Sequence, residues 1–249
     1  MSFSRETISS GVDALDDLLH GGIERGTISI ISGPSGVGKT TTGSLFAKEA
    51  ARQGERSVIY LFEESKPTFV HRSEALGVPV TEMADDGSLA IHEVEASTVS
   101  PQEFAASVRT EVEDRNAQMV VVDGIDGYRL SVQGTGDAVL RSIHSLGRYL
   151  KNMGTTGIFV SEVRTITGEF TITEEEHVSY LADTILFLRY LEYHGELRKA
   201  IGVLKKRASD FERTLREFEI REGGVYLGDP LTGLRGILQG TPDWNVADE

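Results

Sequence analysis

The 249-residue chain contains no cysteine, which excludes disulfide frameworks, cysteine nucleophiles and thiolate metal sites. Long apolar runs are missing too: the longest unbroken one is five residues, Val58 to Phe62, against the roughly 20 that a membrane-spanning helix needs. The first residues lack the cationic-then-apolar pattern of a signal segment, so the expectation is a cytoplasmic protein with no membrane partner. Basic residues are scarce. The 25 Lys and Arg face 39 Asp and Glu, a net charge of −14, and this balance opposes indiscriminate capture of nucleic acid or anionic lipid. Lysine is rarer still, 7 against 18 arginines, and an acidic, lysine-poor composition is the kind expected of a halophilic protein, whose self-repulsion salt would screen. No Pro, Ser or Gly tract, low-complexity block or solenoid-period repeat divides the chain. Residues 1–249 therefore read as one domain, with 240–249 expected as a mobile acidic tail.

What is present is enough apolar sequence, 39% of residues, to bury a core, and it is arranged in alternation. Short β-rich runs fall at Thr27 to Ser32, Ser57 to Phe62, Leu89 to Val94, Met119 to Asp123, Gly157 to Ser161 and Thr184 to Tyr190. Between them lie helical patterns at Thr40 to Gln53, Pro67 to Leu76, Pro101 to Arg115 and Gly136 to Met153. Such alternation predicts an α/β fold, a mostly parallel central sheet with helices on both faces. Leu197 to Lys206 and Thr214 to Arg221 read as a C-terminal antiparallel hairpin, and the Gly-rich stretch from Gly223 as an irregular wrap.

The strongest local pattern is Gly33-Pro34-Ser35-Gly36-Val37-Gly38-Lys39-Thr40-Thr41, which fits a phosphate-binding loop and stands between an apolar strand and a helix, as its mechanism requires. The glycines let backbone N–H groups curl around a phosphate, the following helix turns its positive end toward the anion, and Lys39 can reach the terminal phosphate oxygens. Thr40 offers a hydroxyl to Mg²⁺. A carboxylate at the tip of a neighbouring strand should help hold that ion, and Met119 to Asp123 supplies Asp123, whose competing use is to cap the turn Asp123 to Gly127. Hydrolysis needs a group to orient water. The strand ending Tyr60-Leu61-Phe62 is followed by Glu63 and Glu64; neighbours on an extended strand point opposite ways, which favours Glu63 as that group with Glu64 in support.

With these residues in view, the chain resembles the RecA superfamily of ATPases, and within it the KaiC-like proteins more than the recombinases. The likeness runs from Ser10-Gly11-Val12-Asp13-Ala14-Leu15-Asp16 and Gly21-Gly22-Ile23, through the loop, the Glu63-Glu64 pair and the Asp123 strand, to Ala182-Asp183-Thr184-Ile185-Leu186, Leu204-Lys205-Lys206-Arg207 and Gly233-Leu234-Arg235-Gly236-Ile237-Leu238. The resemblance implies a RecA-like phosphate-loop core, ATP and Mg²⁺ as ligands, and a homo-oligomeric ring, usually a hexamer, with ATP at subunit interfaces. It implies that Lys205 and Arg207 act on the nucleotide of the adjacent subunit in the manner of an arginine finger, and residues two apart on a strand do project to one face. The family's two-domain members autophosphorylate one copy. Ser179 falls in a similar stretch, but Tyr180 follows it where a Ser or Thr would be expected, so the bland reading, a surface serine, is preferred.

Two other functions compete. A recombinase needs cations and stacking groups on the loops that draw in DNA, whereas the corresponding stretch, Ser161 to His177, holds Glu162, Glu169, Glu174, Glu175 and Glu176 against Arg164 alone, a formal charge of −4. Nucleic acid is therefore not the expected partner. A nucleotide-gated scaffold with an unidentified protein partner is the third reading, in which the γ-phosphate selects one of two conformations. The histidines His20, His71, His92, His144, His177 and His194 lack metal-ligand spacing, and Trp244 reads as an anchor for the C-terminus.

Overall fold

Every residue of Ile28–Gly33 is buried, as a strand covered on both faces must be. The computed structural model describes residues 6–131, 136–163, 180–193, 195–232, 234–235 and 243–244. A short ribbon, β1 (Thr7–Ile8) with β2 (Ile23–Glu24), brackets α1 (Asp13–Leu18) and leads into β3 (Ile28–Gly33) and α2 (Lys39–Arg52). Next come β4 (Arg56–Leu61), α3 (Lys66–Ala75), α4 (Val80–Asp85), β5 (Leu89–Glu93), α5 (Pro101–Arg109), β6 (Ala117–Asp123), α6 (Ile125–Ser131), α7 (Gly136–Met153) and β7 (Thr156–Glu162). Then come β8 (Thr184–Tyr193), β9 (Glu196–Lys206), β10 (Arg216–Arg221) and β11 (Gly224–Pro230), followed by a short antiparallel ribbon of β12 (Leu234–Arg235) with β13 (Asp243–Trp244).

Nine strands form one sheet in the order β5-β4-β6-β7-β3-β8-β9-β10-β11. The six from β5 to β8 are parallel, and the last three extend the sheet antiparallel. Alternate residues feed two cores: Ile31, Ile59, Val121 and Ile158 pack on one face with Leu45 and Phe46 of α2, while Ile30, Val58, Val120 and Phe159 pack on the other with Phe104 of α5 and Leu150 of α7. This is the period of two expected of strands with helices on both sides. Two helix starts are capped as their sequences require. Ser65 accepts from the Thr68 amide ahead of Pro67, and Ser100 with Glu103 makes a reciprocal capping box.

The α/β sheet agrees with expectation, and two details differ. The helix expected over Pro101 to Arg115 is α-helical only to Arg109, then widens into a π-helical turn, Thr110–Asp114, that drives Glu111 into the interior. There Glu111 takes contacts from Arg56, His92 and Arg115. The stretch from Gly223 is not an irregular wrap: β11 pairs with β10 in register Arg221↔Gly224 and Phe218↔Leu227, with Gly223 at φ 89° in the turn. The expected C-terminal hairpin is present, β9 pairing antiparallel with β10, and β8 and β11 extend it on either side into a meander. Ser179, most of the acidic 161–177 stretch and the Trp244 side chain lie outside what is described, as does most of the 240–249 tail.

Candidate nucleotide site

The parallel strands all end on one side, and β3 stands between β7 and β8 with its last residue, Gly33, opening the loop. A side chain at Gly33 would sit 2.5 Å from the Leu188 carbonyl oxygen of β8. Gly36 and Gly38 adopt φ of 73° and 119°, a region L side chains avoid, and a Cβ on Gly38 would strike Ile220 and Phe218 of β10. Val37 is buried in the core and pins the loop. Lys39 begins α2, and its Nζ donates to the Pro34 carbonyl oxygen at 2.8 Å. Burial pulls the Lys39 pKa down, while Glu162, Glu63 and Asp123 pull it back up.

The loop faces a cleft of about 620 Å³ whose walls include Ser35, Gly36, Gly38, Lys39, Thr40 and Thr41 with Glu63, Glu64 and Asp123. The Thr40 hydroxyl donates to Asp123 Oδ1 at 3.0 Å. Burial pushes the Asp123 carboxyl up to about 6, against the downward pull of that hydrogen bond. These are hard oxygen donors that suit Mg²⁺, and no trio of His, Asp or Glu among the described residues could hold a metal unaided. Such donors fit an ion that takes one or two protein oxygens and completes its shell with water and substrate phosphate.

The raised Asp123 pKa makes a prediction about stability. The folded chain binds this proton more tightly than the unfolded chain, so stability falls as pH rises from about 4 to about 6, and above 6 the full cost of the buried charge, about 3 kcal/mol, is present. Asp123→Asn should therefore raise the thermal midpoint of the nucleotide-free protein at pH 7 by roughly 5 °C or more. The gain should shrink to about a third of that near pH 4.5 and vanish only below about pH 3. Equal midpoints at pH 7 would contradict the assignment of a buried, unpaired charge.

Glu63 and Glu64 were expected to diverge, with only one at the site. Both line the cleft, because β4 stops at Leu61 and the chain bends through Phe62, Glu63 and Glu64. Glu64 bonds to Arg72 of α3 at 2.5 Å, whereas Glu63 passes directly over Gly124, where a Cβ would come within 2.7 Å of its Cγ. Burial, then the charges of Asp123 and Glu162, push the Glu63 pKa up, the direction that suits a proton acceptor.

Other lining residues were not singled out from sequence for this role. Glu162, which ends β7 level with Gly33, lines the cleft and is oriented by Asp126, whose carboxylate accepts from the Glu162 amide at 2.8 Å. Its signal was available: it ends a parallel strand beside the loop strand, where α/β sheets place their sites. Arg72 and His71 arrive from α3, and no motif marks them.

Lys205 and Arg207 lie elsewhere. The Arg207 amide bonds to the Asp183 carbonyl, five residues before Leu188, against which Gly33 packs. That is about 16 Å along the strand, plus two strand spacings, and the Arg207 side chain turns further away to the Tyr180 carbonyl oxygen at 3.3 Å. Lys205 shares this face: burial first, then the Arg207 charge, lowers its pKa. Lys206 points the opposite way, fully buried and paired with Glu24 at 3.1 Å. The sheet thus brings the two cations together and separates them from the loop of their own chain.

Comparison with known proteins decides the family. The ATPase family described as "ATPase: KaiC" matches residues 8–231. The chain belongs to the KaiC ATPase family. It is 30% identical over 246 residues to a circadian clock oscillator protein KaiC of Picosynechococcus, covering 99% of this chain and 47% of that protein, with the same figures for the Rippkaea orientalis protein. It is 30% identical over 242 residues to the circadian clock protein KaiC3 of Synechocystis, covering 97% of this chain and 47% of that protein. The chain thus spans about half the length of the curated relatives it matches. The mostly parallel sheet flanked by helices is the RecA-like phosphate-loop core of that family. Among the described residues, no helix is long and apolar enough to cross a membrane.

Proposed function

We propose that the chain binds ATP with Mg²⁺ in this cleft and hydrolyses it within a homo-oligomeric ring, taken as a hexamer from the family resemblance. One observation carries the reading: the loop, the Thr40–Asp123 pair and Glu63 converge on one cleft, while Lys205 and Arg207 face away from it at the far end of the same sheet. The backbone N–H groups of Ser35 to Thr41 hold the β-phosphate and Lys39 leaves the Pro34 carbonyl for the β and γ oxygens. Thr40 and Asp123 would hold Mg²⁺, which would supply positive charge beside the transferred phosphoryl group. Glu63 orients a water in line with the γ-phosphorus and takes its proton; the new P–O bond forms as the bond to the β-bridging oxygen breaks, releasing ADP and phosphate. Glu64 fixes Arg72 beside this base. Lys205 and Arg207 of a second copy approach the γ-phosphate and complete the charge balance.

The net charge of −14 argues against capture of nucleic acid, whose phosphates would meet a like-charged surface. We infer a regulatory role in which the bound nucleotide sets the state of the ring and a protein partner reads it. A cytoplasmic location fits this reading.

Lys39→Ala tests the site itself. Removing one charge-assisted contact to phosphate should weaken MgATP binding about 10- to 100-fold, read by equilibrium titration with a fluorescent ATP analogue. An affinity equal to that of the parent would refute the assignment.

A further inference from the structure

Tyr190 and Lys199 stand directly opposite each other in the β8–β9 ladder, and cross-strand partners share a face of the sheet. Both reach the outer side of the phosphate loop. The Tyr190 hydroxyl donates to the Ser35 carbonyl oxygen at 3.2 Å, and Lys199 Nζ donates to the Gly36 carbonyl oxygen at 3.1 Å. The ammonium also lies 5.7 Å from the centre of the Tyr190 ring, in cation–π range. A Cβ on Gly36 would come within 3.1 Å of the Tyr190 hydroxyl. Pinning the Ser35 and Gly36 carbonyls outward turns the N–H groups of the same two peptide units, those of Gly36 and Val37, to the opposite side, which is how a backbone nest presents itself to an anion.

Charge gives Lys199 a second role. The cleft wall carries Glu63, Glu64, Asp123 and Glu162 against Lys39 and Arg72, and Arg72 is already paired with Glu64. A triphosphate entering there meets a surplus of carboxylates. Among the described residues Lys199 pairs with no carboxylate, so its charge remains uncompensated one peptide unit behind the loop.

We propose that Tyr190 and Lys199 form a clasp that positions the phosphate loop from outside, and that the Lys199 charge, acting through the loop, favours nucleotides with more phosphates. This rests on the reading of the cleft as an ATP site. The two residues are positioning residues; neither touches the reacting atoms.

The test is equilibrium binding of methylanthraniloyl-labelled ATP, ADP and AMP, with Mg²⁺, to the full chain carrying Lys199→Met, Lys199→Arg or Tyr190→Phe. Lys199→Met should weaken ATP about tenfold, ADP less and AMP little, and the ATP deficit should shrink at high salt. Lys199→Arg should restore affinity to within about twofold, since the charge and the donor return. Tyr190→Phe should weaken all three nucleotides modestly and equally, because it loosens the loop without removing charge. Undiminished ATP affinity in Lys199→Met would overturn the clasp. So would an equal loss for ATP and AMP that arginine does not rescue, which would mark Lys199 as a packing residue only. Lys39→Ala run alongside separates the two failures: if it binds as the parent does, the site reading itself is wrong; if it loses binding while Lys199→Met does not, the clasp alone falls.

Discussion

Arg207→Ala should lower ATP turnover of the assembled protein by about 10³-fold or more, the range over which an arginine finger acts in phosphate-loop enzymes, while leaving MgATP affinity close to that of the parent. The reason is positional. Within its own chain Arg207 is hydrogen-bonded to Tyr180 and lies 3.9 Å from the Asp183 carboxylate, at the opposite end of the parallel strands from the loop, so its removal leaves the local cleft intact. What is lost is a cation delivered to the phosphoryl group in a dry interface, where charge stabilisation is worth most. Lys205→Ala should act in the same direction. Single-turnover measurements on the assembled protein check this, with titration of a fluorescent nucleotide as the binding control; turnover unchanged in Arg207→Ala would remove the second copy from the mechanism.

The second large effect belongs to Glu63. Glu63→Gln keeps the size and the hydrogen-bonding shape of the side chain but cannot take a proton, and turnover should fall by about 10² to 10⁴. Binding of MgATP should be retained or improved, because one of the carboxylates that crowd the phosphates is gone. Glu64→Gln should cost far less, since Glu64 is engaged with Arg72 rather than aimed past Gly124. Equal losses in the two variants would contradict the division of labour. The Glu63→Gln protein also separates a hydrolase from a nucleotide-gated scaffold: if assembly and partner docking need only bound ATP, they survive in this variant, and if they need turnover, they do not.

The parts of this account that depend on periodicity were legible in the sequence. Ile30 and Ile31, Val58 and Ile59, Val120 and Val121 divide between two cores, and runs apolar at every position could only be strands covered on both sides. The phosphate loop was legible because its chemistry demands glycine at positions where the backbone has positive φ, as at Gly36 and Gly38. What escaped was set by contacts between distant segments. That both Glu63 and Glu64 enter the cleft depends on where β4 ends, and that point is fixed by the neighbouring strands β5 and β6 rather than by local propensity. Glu162 enters because β7 pairs with β3 in a register placing it beside Gly33. Tyr190 and Lys199 are unremarkable in sequence and matter only because β8 lies against the loop strand. The β10–β11 pairing was missed because its glycines, Gly223 and Gly224, read as irregular coil although Gly223 sits in a tight turn and Gly224 opens β11.

The position of the two cations decides the mechanism, and mixing inactive subunits interrogates it directly. Glu63→Gln protein has an intact Arg207, and Arg207→Ala protein has an intact Glu63. Co-assembled in equal amounts after dissociation, about a quarter of the interfaces should pair a sound base with a sound finger from the neighbouring subunit, and ATPase activity should recover to about that fraction of the parent. A mixture no more active than its two components measured separately would show that the finger does not cross between subunits, and the shared-site account would fail.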